Sequence, residues 1–176
     1  MSNIFDGAQV SLMEMLDARE NRVYKQRNLL TKFPKHVLVS MTMNIPGEVK
    51  NSESISRVFE QTLEQVKGLL ETDLIDVNDS NVKTGREAFL LTSSMSAEEV
   101  KHALVKFEEE NERNRLFDLD VIYQDGDDIK QLSRTDLNLP KRLCLICDQE
   151  AKSCSRSRKH SVKELQEKIE RLITNE

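Results

Sequence analysis

The chain has 176 residues, of which 32% are charged and 38% hydrophobic, and its formal net charge is −5. This length and composition suit a folded domain with a core of its own, and no apolar run approaches the roughly 20 residues that cross a bilayer. Residues 1–9 also lack the basic and apolar segments of an export signal. We therefore expect one cytoplasmic domain over residues 1–176 that does not bind a membrane.

The N-terminal third predicts a helix, a strand and a second helix. Residues 10–30 are helical in pattern. Residues 37–43 alternate as in a strand, and Asn44–Gly47 ends it because proline and glycine interrupt regular structure. Asn51 or Ser52 can cap the second helix. In the first helix the predicted apolar face is Leu12, Met15, Leu16 and Val23, with Arg19, Arg22 and Gln26 on a solvated face.

The middle of the chain predicts two more strands, a third helix and a further strand. Residues 74–82 and 88–92 predict two strands joined near Thr84-Gly85, and Ser96 with Glu99 forms a capping box for a third helix. Residues 116–123 predict the next strand. The order strand, helix, strand, strand, helix, strand is that of a split-βαβ unit, so we predict an α+β fold with two helices on one face of the sheet.

After this core, Asp125-Gly126 predicts a hairpin turn, and residues 129–132 would pair back onto the preceding strand. Beyond Pro140 we expect an irregular loop that is rich in cysteine and arginine. A last helix would begin at Ser161, capped with Glu164.

Two aspartates in the strand at 116–123 are the first candidate for chemistry. In a period of two, Phe117, Leu119 and Val121 face the core, whereas Asp118 and Asp120 face the other side. Both carboxylates can reach one Mg²⁺ ion, which favours oxygen ligands and substrate phosphates. The alternative is the solvated face of an edge strand.

The second candidate is a metal site made by Cys144, Cys147, Cys154 and His160. Three thiolates and an imidazole can hold a structural zinc ion. The alternative is three reduced thiols near a histidine, since an odd number of cysteines does not indicate a disulfide framework.

Basic residues are the third candidate, concentrated in the stretch from 141 to 160. A local basic stretch in an acidic chain favours a pocket for a phosphorylated small molecule over nucleic-acid binding. Guanidinium groups bind phosphate in pairs of hydrogen bonds. The alternative to a phosphate site is a loop whose charges are simply solvated. The candidate phosphate ligands are Arg115, Arg134, Arg142, Arg156 and Arg158.

Several of these segments together resemble the apo-citrate lyase phosphoribosyl-dephospho-CoA transferases. Asn114 stands where we would expect a glycine, which affects the expected loop geometry only. The segments that carry the resemblance are Asn44–Gly47 with Lys50, Thr84-Gly85, 115–121, Arg134, Asp136-Leu137, Leu139-Pro140, 142–147, Ala151, 154–158 and His160.

The resemblance implies an enzyme that moves a phosphoribosyl-dephospho-CoA group from a triphosphoribosyl-dephospho-CoA donor to a serine of the apo acyl-carrier subunit of citrate lyase. Diphosphate would leave, and the nucleophile would belong to the partner. We expect Asp118 and Asp120 to bind Mg²⁺ and the arginines to hold the triphosphate. The rival hypotheses are a nucleotidyltransferase with another acceptor, such as the carrier of malonate decarboxylase, and a small zinc-containing interaction module.

Overall fold

A computed structural model describes residues 3–174. Its elements are α1 (Leu12–Lys32), β1 (Val37–Met43), α2 (Glu53–Leu69), β2 (Leu74–Val77), β3 (Glu87–Thr92), α3 (Ala97–Glu110), β4 (Phe117–Asp125), β5 (Asp128–Leu132), α4 (Ala151–Ser157) and α5 (Val162–Thr174). Two short 3-10 turns cover Arg113–Leu116 and Thr135–Leu137. None of the described helices is long and apolar enough to cross a membrane.

The sheet is antiparallel throughout, with the strand order β2-β3-β1-β4-β5. This arrangement of β1 to β4 confirms the predicted α+β class and its split-βαβ core. The predicted caps also form: Ser52 caps α2, and Ser96 with Glu99 makes the capping box of α3. The hairpin turns at Gly126, whose φ of 62° suits glycine, and joins β4 to β5.

Apolar side chains fill both faces of the sheet. The larger cluster lies under α2, α3 and α5 and contains Phe117, Leu119 and Val121 of β4. The smaller cluster lies under the end of α1 and contains Leu30, Leu38, Phe89, Leu91 and Ile122. Asp118 and Asp120 therefore face the α1 side of the sheet, as the alternation predicted.

The predicted face of α1 was wrong. Leu12, Leu16 and Val23 are exposed. Arg22 and Gln26 face the sheet instead, where Arg22 Nε lies 2.6 Å from Glu87 and Gln26 donates to Ser40 Oγ at 3.0 Å. Polar side chains of α1 therefore bond polar side chains of β1 and β3, and the C-terminal end of α1 packs on the smaller apolar cluster.

Two element boundaries also differ from the prediction. β2 ends at Val77 rather than near residue 82, because the Asn78 side chain bonds Gly85 O and Glu87 N and turns the chain. The segment after Pro140 is not irregular throughout, since residues 151–157 form α4.

Candidate active site

β4 is open along its first half on the side away from β1. β5 pairs with residues 121–125 of β4, whereas residues 117–120 pair with β1 and have no partner in β5. The chain leaves the sheet after Leu132 at a turn in which the Ser133 amide donates to Asp136 at 2.7 Å. The open edge, α3, this turn and α4 enclose a cavity of about 640 Å³. We call it the carboxylate cavity, after Asp118 and Asp120 in its wall.

Each aspartate of the cavity has one carboxylate oxygen in a hydrogen bond. Asp118 Oδ1 accepts from Arg142 Nη1 at 2.6 Å, and Asp120 Oδ1 accepts from Gln131 Nε2 at 2.9 Å. Burial raises the pKa of Asp120, and the neighbouring Asp118 carboxylate raises it further. The two carboxylates face the same cavity, and a hard divalent cation fits that donor set.

Lys101 of α3 reaches the same cavity and is only 8% exposed. Its ammonium group makes no hydrogen bond or ion pair with any residue within the described range 3–174. Burial lowers the pKa of Lys101, although the nearby Glu108 and Asp120 carboxylates oppose this. An ammonium group without a direct partner, at the end of a largely buried side chain, is available to an anionic ligand that enters the cavity.

Arg134 approaches the cavity from the turn after β5. Its guanidinium contacts Glu108 at 2.5 Å and Glu109 at 3.2 Å. Glu108, the partner of the shorter contact, is only 5% exposed. Arg134 is therefore held in place by α3, and its ion pair sits at the cavity wall.

Two further arginines join β4 to the chain around the cysteines. Arg142 Nη2 donates to the carbonyl oxygens of Phe117, at 2.8 Å, and of Arg115. Arg115 in turn donates to the carbonyls of Leu143 and Cys144 at 2.7 and 2.8 Å. These reciprocal bonds fix residues 142–144 against the start of the strand that carries Asp118.

The ligand atoms of Cys144, Cys147, Cys154 and His160 all lie within 4.8 Å of one another. Cys147 Sγ is 3.6 Å from Cys154 Sγ and 3.3 Å from His160 Nε2, and the thiols are free. We call residues 144–160 the knuckle. It folds because Cys144 N donates to Gln149 O at 2.7 Å, after which α4 brings Cys154 back to the first two cysteines.

The sulfur atoms of the knuckle differ in acidity. Hydrogen bonds from the Gln149 backbone and from His160 lower the pKa of Cys147 to about 6. Burial, together with Cys147 and Cys144, raises the pKa of Cys154. A set of three sulfurs and one imidazole within contact distance has the composition of a closed tetrahedral metal site.

The sequence model of the CitX family, the apo-citrate lyase phosphoribosyl-dephospho-CoA transferases, matches residues 10–176. The chain belongs to this family.

Several curated relatives agree with this membership. A probable apo-citrate lyase phosphoribosyl-dephospho-CoA transferase of Streptococcus pyogenes serotype M18 is 36% identical over 169 residues, covering 96% of this chain and 88% of the relative. A protein of the same name from Vibrio cholerae serotype O1 is 39% identical, covering 93% of this chain and 91% of the relative. Protein CitXG of Haemophilus influenzae is 34% identical over 97% of this chain, which spans 36% of that longer protein.

In this member of the CitX family, the predicted site residues fall into two adjoining groups. Arg134, Arg142 and Arg156 line the carboxylate cavity with both aspartates. Arg115 and Arg158 line a neighbouring cavity, with Cys144, Cys154 and His160.

The sequence reasoning missed Lys101 and Glu108. A signal was available, because positions 101, 104, 105 and 108 share one face of a helix. Leu104 and Val105 mark that face as buried, so charged residues on it require a reason.

Proposed function

We propose that this chain transfers the 2′-(5″-phosphoribosyl)-3′-dephospho-CoA group from its triphosphoribosyl precursor to a serine of the apo acyl-carrier (gamma) subunit of citrate lyase, releasing diphosphate. The observation that carries the proposal is the carboxylate cavity itself. It combines two carboxylates for a metal with Lys101, Arg134, Arg142 and Arg156 for a phosphate chain, in a chain of the CitX family.

In the proposed reaction the serine oxygen bonds to the α-phosphorus, and the bond from that phosphorus to the bridging oxygen of the diphosphate breaks. Asp118 and Asp120 would hold Mg²⁺, which would supply positive charge to the phosphates. Lys101 and Arg156 bind the diphosphate as it leaves, since both have donors free of ion pairs to other residues in the range 3–174. One of the two aspartates or a nearby group would accept the serine proton.

We further propose that the knuckle holds a structural Zn²⁺ ion. Its sulfur and nitrogen atoms are already within 4.8 Å of one another, so binding would require little rearrangement. The ion would fix α4, which carries Arg156, and the loop beside Arg142. Its role would be to keep these two arginines at the carboxylate cavity.

The direct test is the intact mass of the purified apo carrier subunit after incubation with the protein, the triphosphoribosyl donor and Mg²⁺. We expect a mass gain equal to the phosphoribosyl-dephospho-CoA group, and none with a carrier whose acceptor serine is changed to alanine. No gain with a folded protein and a verified donor would contradict the function. Modification of the malonate decarboxylase carrier in preference to the citrate lyase carrier would contradict the proposed acceptor.

Aspartate variants test the proposed site. Asp118→Asn and Asp120→Asn should each lower the rate of transfer by at least about 100-fold, as expected when a metal ligand for a phosphoryl group is lost. Asp125→Asn is the matched control, because Asp125 lies at the exposed end of the same strand and bonds Lys130. A folded Asp118 or Asp120 variant that keeps the wild-type rate would exclude that residue from the metal site.

A further inference from the structure

A second cavity, of about 610 Å³, adjoins the carboxylate cavity on the other side of Arg142. We call it the apolar cavity. It lies between the knuckle and α5, and its walls include Leu116, Leu145, Leu165 and Ile169. Its volume is within the range of small-molecule sites.

The two cavities share part of their walls. Asn44, Arg142, Ala151 and Ser155 line both of them. A ligand with phosphates among the aspartates and lysine of the first cavity therefore lies beside the second cavity, with Arg142 between them.

The mouth of the apolar cavity exposes apolar side chains and one cation. Leu143 is 51% exposed and Val162 is 50% exposed. Arg158 also lines the cavity, and its side chain makes no hydrogen bond or ion pair with residues 3–174. This mixture, an apolar wall with an unpaired guanidinium at its edge, suits a flat heterocycle that is attached to a phosphorylated group.

We infer that the apolar cavity binds the purine nucleoside of the donor while the carboxylate cavity binds its triphosphate. This inference rests on the proposed function, because the donor joins its triphosphate to an adenosine through a ribose. The apolar faces of the purine pack against Leu145, Leu165 and Val162. Arg158 contacts the 5′-phosphate side of the adenosine.

The experiment measures binding by isothermal titration calorimetry to the full chain loaded with zinc. The probes are adenosine 5′-monophosphate, 4′-phosphopantetheine, and tripolyphosphate with Mg²⁺. The variants are Leu165→Trp, which fills the cavity, and Val162→Trp, which blocks its mouth at a half-exposed position that tolerates a large side chain. Leu172→Trp is the matched control, because Leu172 lies two turns further along α5 and lines a different groove.

We expect both cavity variants to weaken adenosine 5′-monophosphate binding at least about ten-fold, which corresponds to about 1.4 kcal/mol. Binding of tripolyphosphate with Mg²⁺ should be unchanged, and this result also shows that the variants are folded. Leu172→Trp should bind both probes like the wild type.

Three results would overturn the inference: no binding of adenosine 5′-monophosphate to the wild type, equal binding to all variants, or binding of 4′-phosphopantetheine alone in the apolar cavity. The inference and the proposed function can fail separately. If the wild type modifies the carrier but Val162→Trp does not change nucleotide binding, only the cavity assignment is rejected. If both cavity variants lose nucleotide binding but the wild type does not modify the carrier, only the proposed transfer is rejected.

Discussion

Two charged side chains in the carboxylate cavity have pKa values displaced in opposite directions. Burial raises the pKa of Asp120 and lowers that of Lys101, so burial disfavours the ionised form of each. Both groups therefore cost stability at neutral pH in the free protein. The proposed role of the cavity as a site for a metal and a phosphate chain gives a physical reason for this cost, because the ligands would neutralise both charges.

Lys101→Met should lower transfer activity and raise stability. The loss of a cation facing the phosphates should reduce kcat/KM by at least about ten-fold. Because the folded pKa of Lys101 lies below its ordinary value of 10.5, the folded state binds fewer protons between those two values. The cost of the charged lysine is therefore present below the folded pKa and disappears as the pH rises from that value to 10.5.

Thermal unfolding of wild type and Lys101→Met from pH 7 to pH 10 checks this expectation. The variant should have the higher midpoint at pH 7, and the difference should shrink as the pH rises. Lys106→Met is the control, since Lys106 is exposed on the same helix. A Lys101→Met protein that is less stable than wild type at pH 7 would show that the ammonium group has a stabilising partner.

Asp120→Asn gives the complementary pH dependence. A raised folded pKa means that the folded state binds more protons than the unfolded chain between the ordinary value of 3.8 and the raised value. The stability that protonation of Asp120 provides is present below the ordinary value and is lost as the pH rises through the raised value. Without Mg²⁺, Asp120→Asn should therefore exceed the wild type in melting temperature at pH 7, and the difference should vanish near pH 4.

Mg²⁺ should reverse the order of the melting temperatures of the wild type and Asp120→Asn. At a concentration 100 times its Kd, Mg²⁺ would stabilise the wild type by about 2.7 kcal/mol, whereas Asp120→Asn should gain much less. Scanning calorimetry with and without Mg²⁺ measures both values, and Asp125→Asn should behave as the wild type. Equal stabilisation of the wild type and Asp120→Asn would place the metal elsewhere.

At the scale of elements, the knuckle and α4 form the part that sequence patterns describe least well. The four ligands were predicted from residue types alone, but α4 has only seven residues and lacks an amphipathic pattern. Its place is set by the hydrogen bonds of Cys144 and Ala151 and by the position of Cys154 near Cys147. A short helix of this kind is defined by its ends and by the cysteine it presents, which periodicity does not reveal.

Cys147→Ser should remove the bound metal and lower transfer activity without unfolding the sheet. The reason is that Arg142 and Arg156 are attached to the knuckle, whereas β1, β3 and β4 have a core of their own. Zinc content by mass spectrometry, far-ultraviolet circular dichroism and the carrier assay measure the three effects. Asp118→Asn is the control, since it should retain zinc and still lose activity.

The outcome that would contradict the structural role is a zinc-free Cys147→Ser protein with full activity. A wild-type protein that never binds zinc, with full activity, would leave the cysteines as packing residues. Zinc retained by Cys147→Ser would exclude Cys147 from the ligand set.

At the scale of the whole molecule, the sequence predicted the sheet well because the alternation in β1 and β4 and the caps of α2 and α3 are strong local signals. It also placed Asp118 and Asp120 on the correct face of β4. The predicted end of the hairpin strand at residue 132 is also correct, and it leaves the edge of β4 before Val121 open for the cavity. The sequence did not predict that α3, the turn after β5 and α4 come together around this edge, since that arrangement depends on packing between distant segments.

The carboxylate cavity is assembled from segments that fold separately, and this leads to a prediction for the whole chain. Its wall combines β4, α3, the turn after β5 and α4. Tripolyphosphate with Mg²⁺ should therefore slow amide hydrogen exchange in two segments at once, residues 117–123 of β4 and residues 151–157 of α4. Mass-spectrometric exchange measures both segments in one sample.

Removal of zinc should separate the protection of β4 by the ligand from the protection of α4. Without zinc, α4 loses its attachment to Cys144 and Cys147, so the ligand should still protect β4 while the protection of α4 is lost. If the ligand protects β4 alone in the zinc-loaded protein, α4 and Arg156 do not belong to the phosphate site. If zinc removal leaves the protection of both segments unchanged, the hydrogen bonds of Arg115 and Arg142 hold the cavity together without the metal.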